Sequence, residues 1–205
     1  MSITTNKRIA IFYHCAEMNN WKEIDAEIME VLKSSGLLER ADIFVKNNCK
    51  DIGLYEFPTL ELLDQFCVYH QDYYVLYIMN KGVSRPTSNQ SSDWRKCMLY
   101  WNVERWKECV AKLDEGFEAV GINVVETPHR HFQGNFWWAT AKHIASLGNI
   151  NDIEVKEDKE LDIGERHKAE FWVLSKPTIV YSPYHHHINP YIEINPRDNY
   201  INKKF

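Results

Sequence analysis

Six consecutive residues, Met79-Asn80-Lys81-Gly82-Val83-Ser84, bring an amide, an ammonium, a glycine and a hydroxyl together. An ammonium is a point charge suited to phosphate oxygens, and glycine lets backbone come close to a ligand. The run just ahead, Tyr73 to Ile78, is apolar, β-branched and aromatic, the pattern of a strand buried on both faces. Lys81 therefore falls at the carboxyl end of a central strand, the edge where open α/β sheets bind ligands. The plain alternative is a strand end with a solvated lysine and a turn glycine.

Two more groups fall at comparable places. Tyr13-His14-Cys15 closes the apolar run that begins at Arg8, and His131 through Trp138 follows a polar loop. Strand ends on one edge converge, so the three groups belong to one site. Within the third, Gly134-Asn135 suits a tight turn, and the adjacent Trp137 and Trp138 must face opposite sides of a strand. One can enter the core while the other lines a pocket, and the loop position favours a platform for a sugar or base. His185-His186-His187 is a further signal, because on an extended chain only His185 and His187 share a face. Its bland reading is a polar tail.

Holding such groups requires a layered sheet. Arg8 to Cys15 and Ala41 to Val45 read as strands around a helix whose Trp21, Ile24, Ile28 and Val31 recur at helical spacing, with Asn20 and Glu23 as a capping box. A strand, a helix and a strand make a βαβ unit and imply a parallel sheet. Pro58 to His70 predicts a helix with Leu60, Leu63 and Cys67 inward. Residues 83–93, rich in Ser and Asn, predict a mobile loop that acts as a lid over Lys81. Ser92 or Asp93 then caps a long helix to about Leu113, with Trp94 and Arg95 lining the site from its first turn. Phe117 to Val125 predicts a strand in which Gly121 marks a bulge or a close approach. A helix to about Leu147, a charged loop over 151–162, a helix over Ile163 to Ser175 and a strand over Thr178 to Tyr181 complete the body. The expected fold is α/β: an open, mostly parallel twisted sheet with helices on both faces. It occupies residues 1–182, and a Pro- and Asn-rich extension over 183–205 packs on it.

With 205 residues the chain can bury roughly 70% of its unfolded surface. A net charge of −5 argues against a protein that grips nucleic acid through phosphates, though a nucleotide needs only a local positive site. Five cysteines without CxxC spacing predict reduced thiols and a cytoplasmic location. No apolar run approaches the ~20 residues of a membrane span. The first strand's end reads YHCAEM, so a dinucleotide-binding GxGxxG turn is missing there.

Five segments, FYHCAEMNN, LYIMNKGVS, WRKCMLYWNVERWKECVAKLDEG, HFQGNFWWA and ERHKAEFW, together resemble a family of small nucleotide-sugar glycosyltransferases with the GT-A fold. Such domains occur in bacterial polysaccharide loci and large DNA viruses; for a viral chain the expected compartment is the host cytoplasm. The resemblance covers about residues 8 to 175. It implies transfer of a sugar from a nucleotide diphosphate, a UDP sugar above all, to a glycan or glycoprotein hydroxyl. On the matching positions, Tyr13, His14 and Cys15 border the nucleobase and ribose. Asn80, Lys81, Gly82 and Ser84 meet the diphosphate, helped by Arg85 or Arg95. Gly134, Asn135 and Trp138 contact the sugar, while Trp94 and His131 frame the acceptor cleft.

The chain departs from that family at the end of the central strand. Most members carry Asp-x-Asp there to hold Mn²⁺ or Mg²⁺, whereas this chain has Ile78-Met79-Asn80-Lys81 and no Asp-x-Asp anywhere. A departing diphosphate still needs positive charge as the C1–O bond breaks. Either Lys81 supplies it as a fixed cation, or a metal binds through Asn80, histidines such as His185 and His187, and the donor phosphates. Inversion at the sugar also needs a proton acceptor, and Glu170 is assigned that role ahead of Asp114 or Glu115. The bland reading of Glu170 is an ion-pair partner for Arg166. With the acidic motif missing, a non-catalytic carbohydrate- or nucleotide-binding module on the same fold is the competing expectation.

Overall fold

The computed structural model of the chain describes residues 7–155, 158 and 163–205. Part of the predicted charged loop, at 156, 157 and 159–162, lies outside the described residues. Six strands form one sheet: β1 (Arg8–Ala16), β2 (Ile43–Cys49), β3 (Tyr73–Met79), β4 (Ala119–Gly121), β7 (Trp137–Thr140) and β8 (Val180–Tyr181). Two more, β5 (Val124–Val125) and β6 (His131–Phe132), pair separately. The order in the main sheet is β2-β1-β3-β7-β4-β8. β1 runs parallel to both β2 and β3, β7 is antiparallel to β3 and β4, and β8 is parallel to β4. The predicted α/β architecture is present, with a mostly parallel sheet.

The two-residue alternation along the strands explains the layers. From β1 and β3, Ile9, Ile11, Tyr13, Cys15, Tyr74, Leu76 and Ile78 face one core. Helices α1 (Trp21–Ser34), α4 (Asn89–Leu99) and α5 (Trp106–Asp114) cover it, after the short turn α2 (Leu37–Arg40) that follows α1. Ala10, Phe12, Tyr73, Val75 and Tyr77 face the other core, under α3 (Phe57–Tyr69), α6 (Ala141–Leu147) and α7 (Lys168–Phe171). The extension over 183–205 packs on the segment that joins α4 to α5: Tyr100 donates to the carbonyl of Ile201 at 2.7 Å, and Arg197 pairs with Glu104. Among the described residues no helix is long and apolar enough to cross a membrane.

Several elements differ from expectation. The Asn20 side chain makes no cap hydrogen bond to α1. The expected lid is only partly a loop: Ser88 caps α4 by accepting from the amide of Ser91 at 3.1 Å, so 89–93 are helix and 83–88 are not. The cap is thus Ser88 and not Ser92 or Asp93, which lie within the helix. The long helix carries a π turn over Tyr100–Glu104 before α5 resumes. The strand expected over 117–125 breaks into β4 and β5, because Asn123 takes φ 56° and turns the chain. Gly121 is a close approach, since a Cβ there would stand 2.8 Å from the Phe132 ring. The helix over 163–175 is a 3₁₀ turn, α7 and a second 3₁₀ turn.

Candidate functional site

The three groups expected to converge have different fates. Tyr13 and Cys15 are wholly buried under α1, and His14, on the opposite face, is buried against α3. His14 Nδ1 lies 2.8 Å from the Thr59 hydroxyl, which also accepts from the Asn47 amide at 3.0 Å. Burial pushes the His14 imidazole down to about 4, so it is neutral near pH 7. All five cysteines are free thiols and buried. None of the three side chains expected at a nucleobase presents a surface, because the last turns of β1 are core.

Asn80 is likewise occupied. Its amide accepts from the backbone N–H of Ala16 at 3.0 Å and donates to the Ala16 carbonyl at 2.9 Å, clasping the ends of β1 and β3 together. Arg95 is buried with its guanidinium fork on Glu27, at 2.8 and 3.3 Å, and donates to the Lys81 carbonyl at 2.8 Å. It shapes the loop and is committed to a carboxylate. Gly82 has φ +99°, and a Cβ there would meet Arg95 and Ser91 at 3.1 and 3.2 Å. Ser84 and Arg85 are exposed, with Arg85 over the Tyr191 ring.

Lys81 turns the other way, into a cluster of ionisable groups. Its ammonium stands 4.4 Å from the centre of the Trp94 ring and 4.0 Å from Glu170 Oε1. Glu170 Oε2 is 4.0 Å from His131 Nε2. His131 Nδ1 donates to the carbonyl of His129 at 2.7 Å, which leaves Nε2 as an acceptor toward Glu170. Burial lowers the His131 pKa, so the ring is neutral in the resting protein. The expected acid–base residue, the expected cation and the expected cleft histidine are thus neighbours. The alternative bases lie elsewhere in bonds of their own, Asp114 with the Tyr74 hydroxyl at 2.7 Å and Glu115 with Lys112.

Beneath them lies a residue the sequence reading missed. Glu56, at the start of α3, is 8% exposed. One oxygen accepts from Asn135 Nδ2 at 3.2 Å; the other, Oε1, is buried with no hydrogen-bond partner. Desolvation first and the Glu170 charge second push its pKa up to about 7, against the pull of Lys81 and the Asn135 bond. Tyr77, on the same face, has a buried hydroxyl also without a partner, and both carboxylates act on it.

The turn at Gly134-Asn135 holds Glu56 in place. Asn135 takes φ 60° and its amide donates to Glu56 and to the Ala169 carbonyl, while its oxygen accepts from the Trp137 indole at 2.8 Å. Gly134 packs so tightly that a Cβ would sit 2.5 Å from Met98 Sδ and 2.9 Å from the Trp94 ring. Trp137 and Trp138 face opposite sides as expected, but both are fully buried. Trp138 donates to the Asn102 carbonyl at 2.8 Å and offers no platform to a sugar; the ring at the site is Trp94.

Across α7, Phe171 faces a cleft of about 520 Å³ lined also by His129, Arg130, Leu147, Asp152 and Lys176. Lys81, Glu170, His131 and Glu56 do not line this space, and Lys81 and Glu170 are only partly buried. His185 and His187 are exposed on the extension, and the backbone N–H of His186 between them donates to Asn123 Oδ1 at 3.2 Å. Among the described residues no group of three or more His, Cys, Asp or Glu side chains is placed to hold a metal ion. Glu56 and Glu170 instead face the ammonium of Lys81.

No curated protein and no solved structure matches the chain. A family model does, over residues 33–199, which include Lys81, Glu56, Glu170 and the Gly134-Asn135 turn. By that match the chain belongs to the family described as a domain of unknown function, DUF8361.

Proposed function

We propose that the rim at Lys81 receives the diphosphate of a nucleotide sugar, a UDP sugar above all, and that the protein is a glycosyltransferase acting on a glycan or glycoprotein hydroxyl. The observation that supports this reading is the grouping of Lys81, Glu170, His131 and Glu56 against Trp94, just beyond the carboxyl end of parallel β3. Such an edge suits ligand binding, and a fixed ammonium suits the charge that builds on a leaving diphosphate. Glu170 and the His131 Nε2 lone pair, 4.0 Å apart, are both acceptors in the resting protein. A hydroxyl arriving between them would meet a base for its proton if configuration inverts, or an orienting pair if it is retained. Mn²⁺ or Mg²⁺ would add charge at the phosphates; every role above belongs to the chain's own residues.

One observation favours the second reading, a binding module without catalysis. Arg95 and Asn80, two of the expected donor contacts, are already engaged within the protein. Incubation with UDP sugars, with and without Mn²⁺, separates the two by the appearance of free UDP. Release that falls at least tenfold in Lys81→Ala supports the transferase. Binding without release supports the module, and unchanged affinity in Lys81→Ala places the phosphates elsewhere.

A further inference from the structure

The groups around Lys81 do not form a positive site while both carboxylates are ionised. Lys81 carries one positive charge, Glu170 and Glu56 each carry a negative one, and His131 is neutral. Arg95 does not correct the balance, because Glu27 holds its guanidinium. A diphosphate reaching Lys81 would therefore meet net negative charge, unless one carboxylate gives up its own.

Glu56 is built to do so. It is buried, whereas the Glu170 side chain keeps some contact with solvent. Its Oε1 has no hydrogen-bond partner, so a proton can be held there without displacing the Asn135 bond on Oε2. The groups facing it are Glu170 on α7, Lys81 after β3, Tyr77 on β3 and, through Glu170, His131 on β6. An added anion at Lys81 acts on Glu56 in one direction only. It adds repulsion and draws away the ammonium that favours the charged carboxyl.

We propose that Glu56 is the proton store of this site, and that an anionic donor binds at Lys81 together with one proton taken from solvent onto Glu56 Oε1. The inference rests on the donor reading above and adds the residue that makes the rim receptive to an anion. Nothing else changes covalently: a buffer acid loses the proton and Glu56 gains it. A resting pKa near 7 leaves the store partly empty at neutrality, so uptake can be measured there.

The probe is UDP-glucose, a diphosphate diester with no group titrating near pH 7, followed by titration calorimetry on the whole chain. Between about pH 6 and pH 8 the wild-type affinity is expected to fall roughly fivefold, the part of a one-unit pKa rise from about 7 that falls in that range. At pH 7 the heats in phosphate and Tris, which differ in ionisation enthalpy, should differ in the sense of proton uptake. Glu56→Gln should flatten the profile. Binding that is independent of pH, with equal heats in the two buffers, overturns the proposal while leaving the donor reading intact. An unflattened slope in a folded Glu56→Gln also overturns it. No heat at any pH removes the donor reading and the proposal together. The two-buffer comparison needs no variant, so it stands even if Glu56→Gln fails to fold.

Discussion

Two polar clusters lie at the ends of neighbouring strands, and the chain treats them in opposite ways. At the end of β1, His14 has Thr59, Thr59 has Asn47, and Asn80 bonds both the N–H and the carbonyl of Ala16. Beyond β3, Glu56 leaves one oxygen unpartnered and Tyr77 its hydroxyl, while Lys81 and His131 stand 4.0 Å from Glu170. Satisfied buried groups fix a structure, whereas unsatisfied ones cost stability and are retained where chemistry uses them. The first cluster is a latch of the sheet, and the second is the edge to which the proposal above assigns the work. Residue type does not tell them apart, since each holds an ionisable group and an asparagine.

The largest expected effect strikes the mould of the working edge. Gly134→Ala combines a left-handed φ of +94° with a Cβ 2.5 Å from Met98 Sδ. It should cost about 4 kcal/mol in urea denaturation, through backbone strain and overpacking together. A loss below about 1 kcal/mol would mean that the turn is adaptable and does not set the position of Asn135.

A smaller effect has the opposite sign. Folding raises the Glu56 pKa from 4.5 to about 7, so the native state holds a proton there that the unfolded chain has released. Its contribution is full below pH 4.5 and is lost as pH rises to about 7. Glu56→Gln removes that loss, and at pH 8 the variant should be more stable than wild type by about 2–3 kcal/mol, with little difference near pH 5. His14 works the other way: its pKa falls from 6.5 to about 4, so its contribution is present above 6.5 and lost as pH falls to about 4. Glu56→Gln should therefore leave stability rising with pH across that interval. A pH profile parallel to wild type would show that Glu56 is not titrating on folding.

The smallest effect belongs to the latch. Thr59→Val strands His14 Nδ1 and the Asn47 amide at once and should cost about 2 kcal/mol, without moving UDP-sugar affinity. A loss of affinity as large as that of Lys81→Ala would erase the division between the clusters.

How much of this could be read beforehand depends on the distance over which each feature is decided. Arg8 to Cys15 and Tyr73 to Ile78 form strands as expected, with two faces given by alternation alone. Lys81, Glu170, His131 and Trp94 were named individually and do meet. Glu56 carries no local signal, because in Leu54-Tyr55-Glu56-Phe57 it is an acidic residue at a helix start, an ordinary solvated place. Tyr13, Cys15 and Trp138 were expected at a ligand because they sit near strand ends, but the helices that cover them are set by distant residues.

Local pattern alone set the period of β1 and β3, the helical stripes of α1 and α3, and the arrival of Lys81 where β3 stops. These follow from side-chain alternation and backbone preference within a few neighbours. Only the tertiary structure decided which polar groups are spent and which stay open. Arg95 meets Glu27 across 68 residues and Asn135 meets Glu56 across 79, and no local pattern encodes such pairs. Burial then shifts the charge of a carboxyl by an amount that depends on every element packed around it.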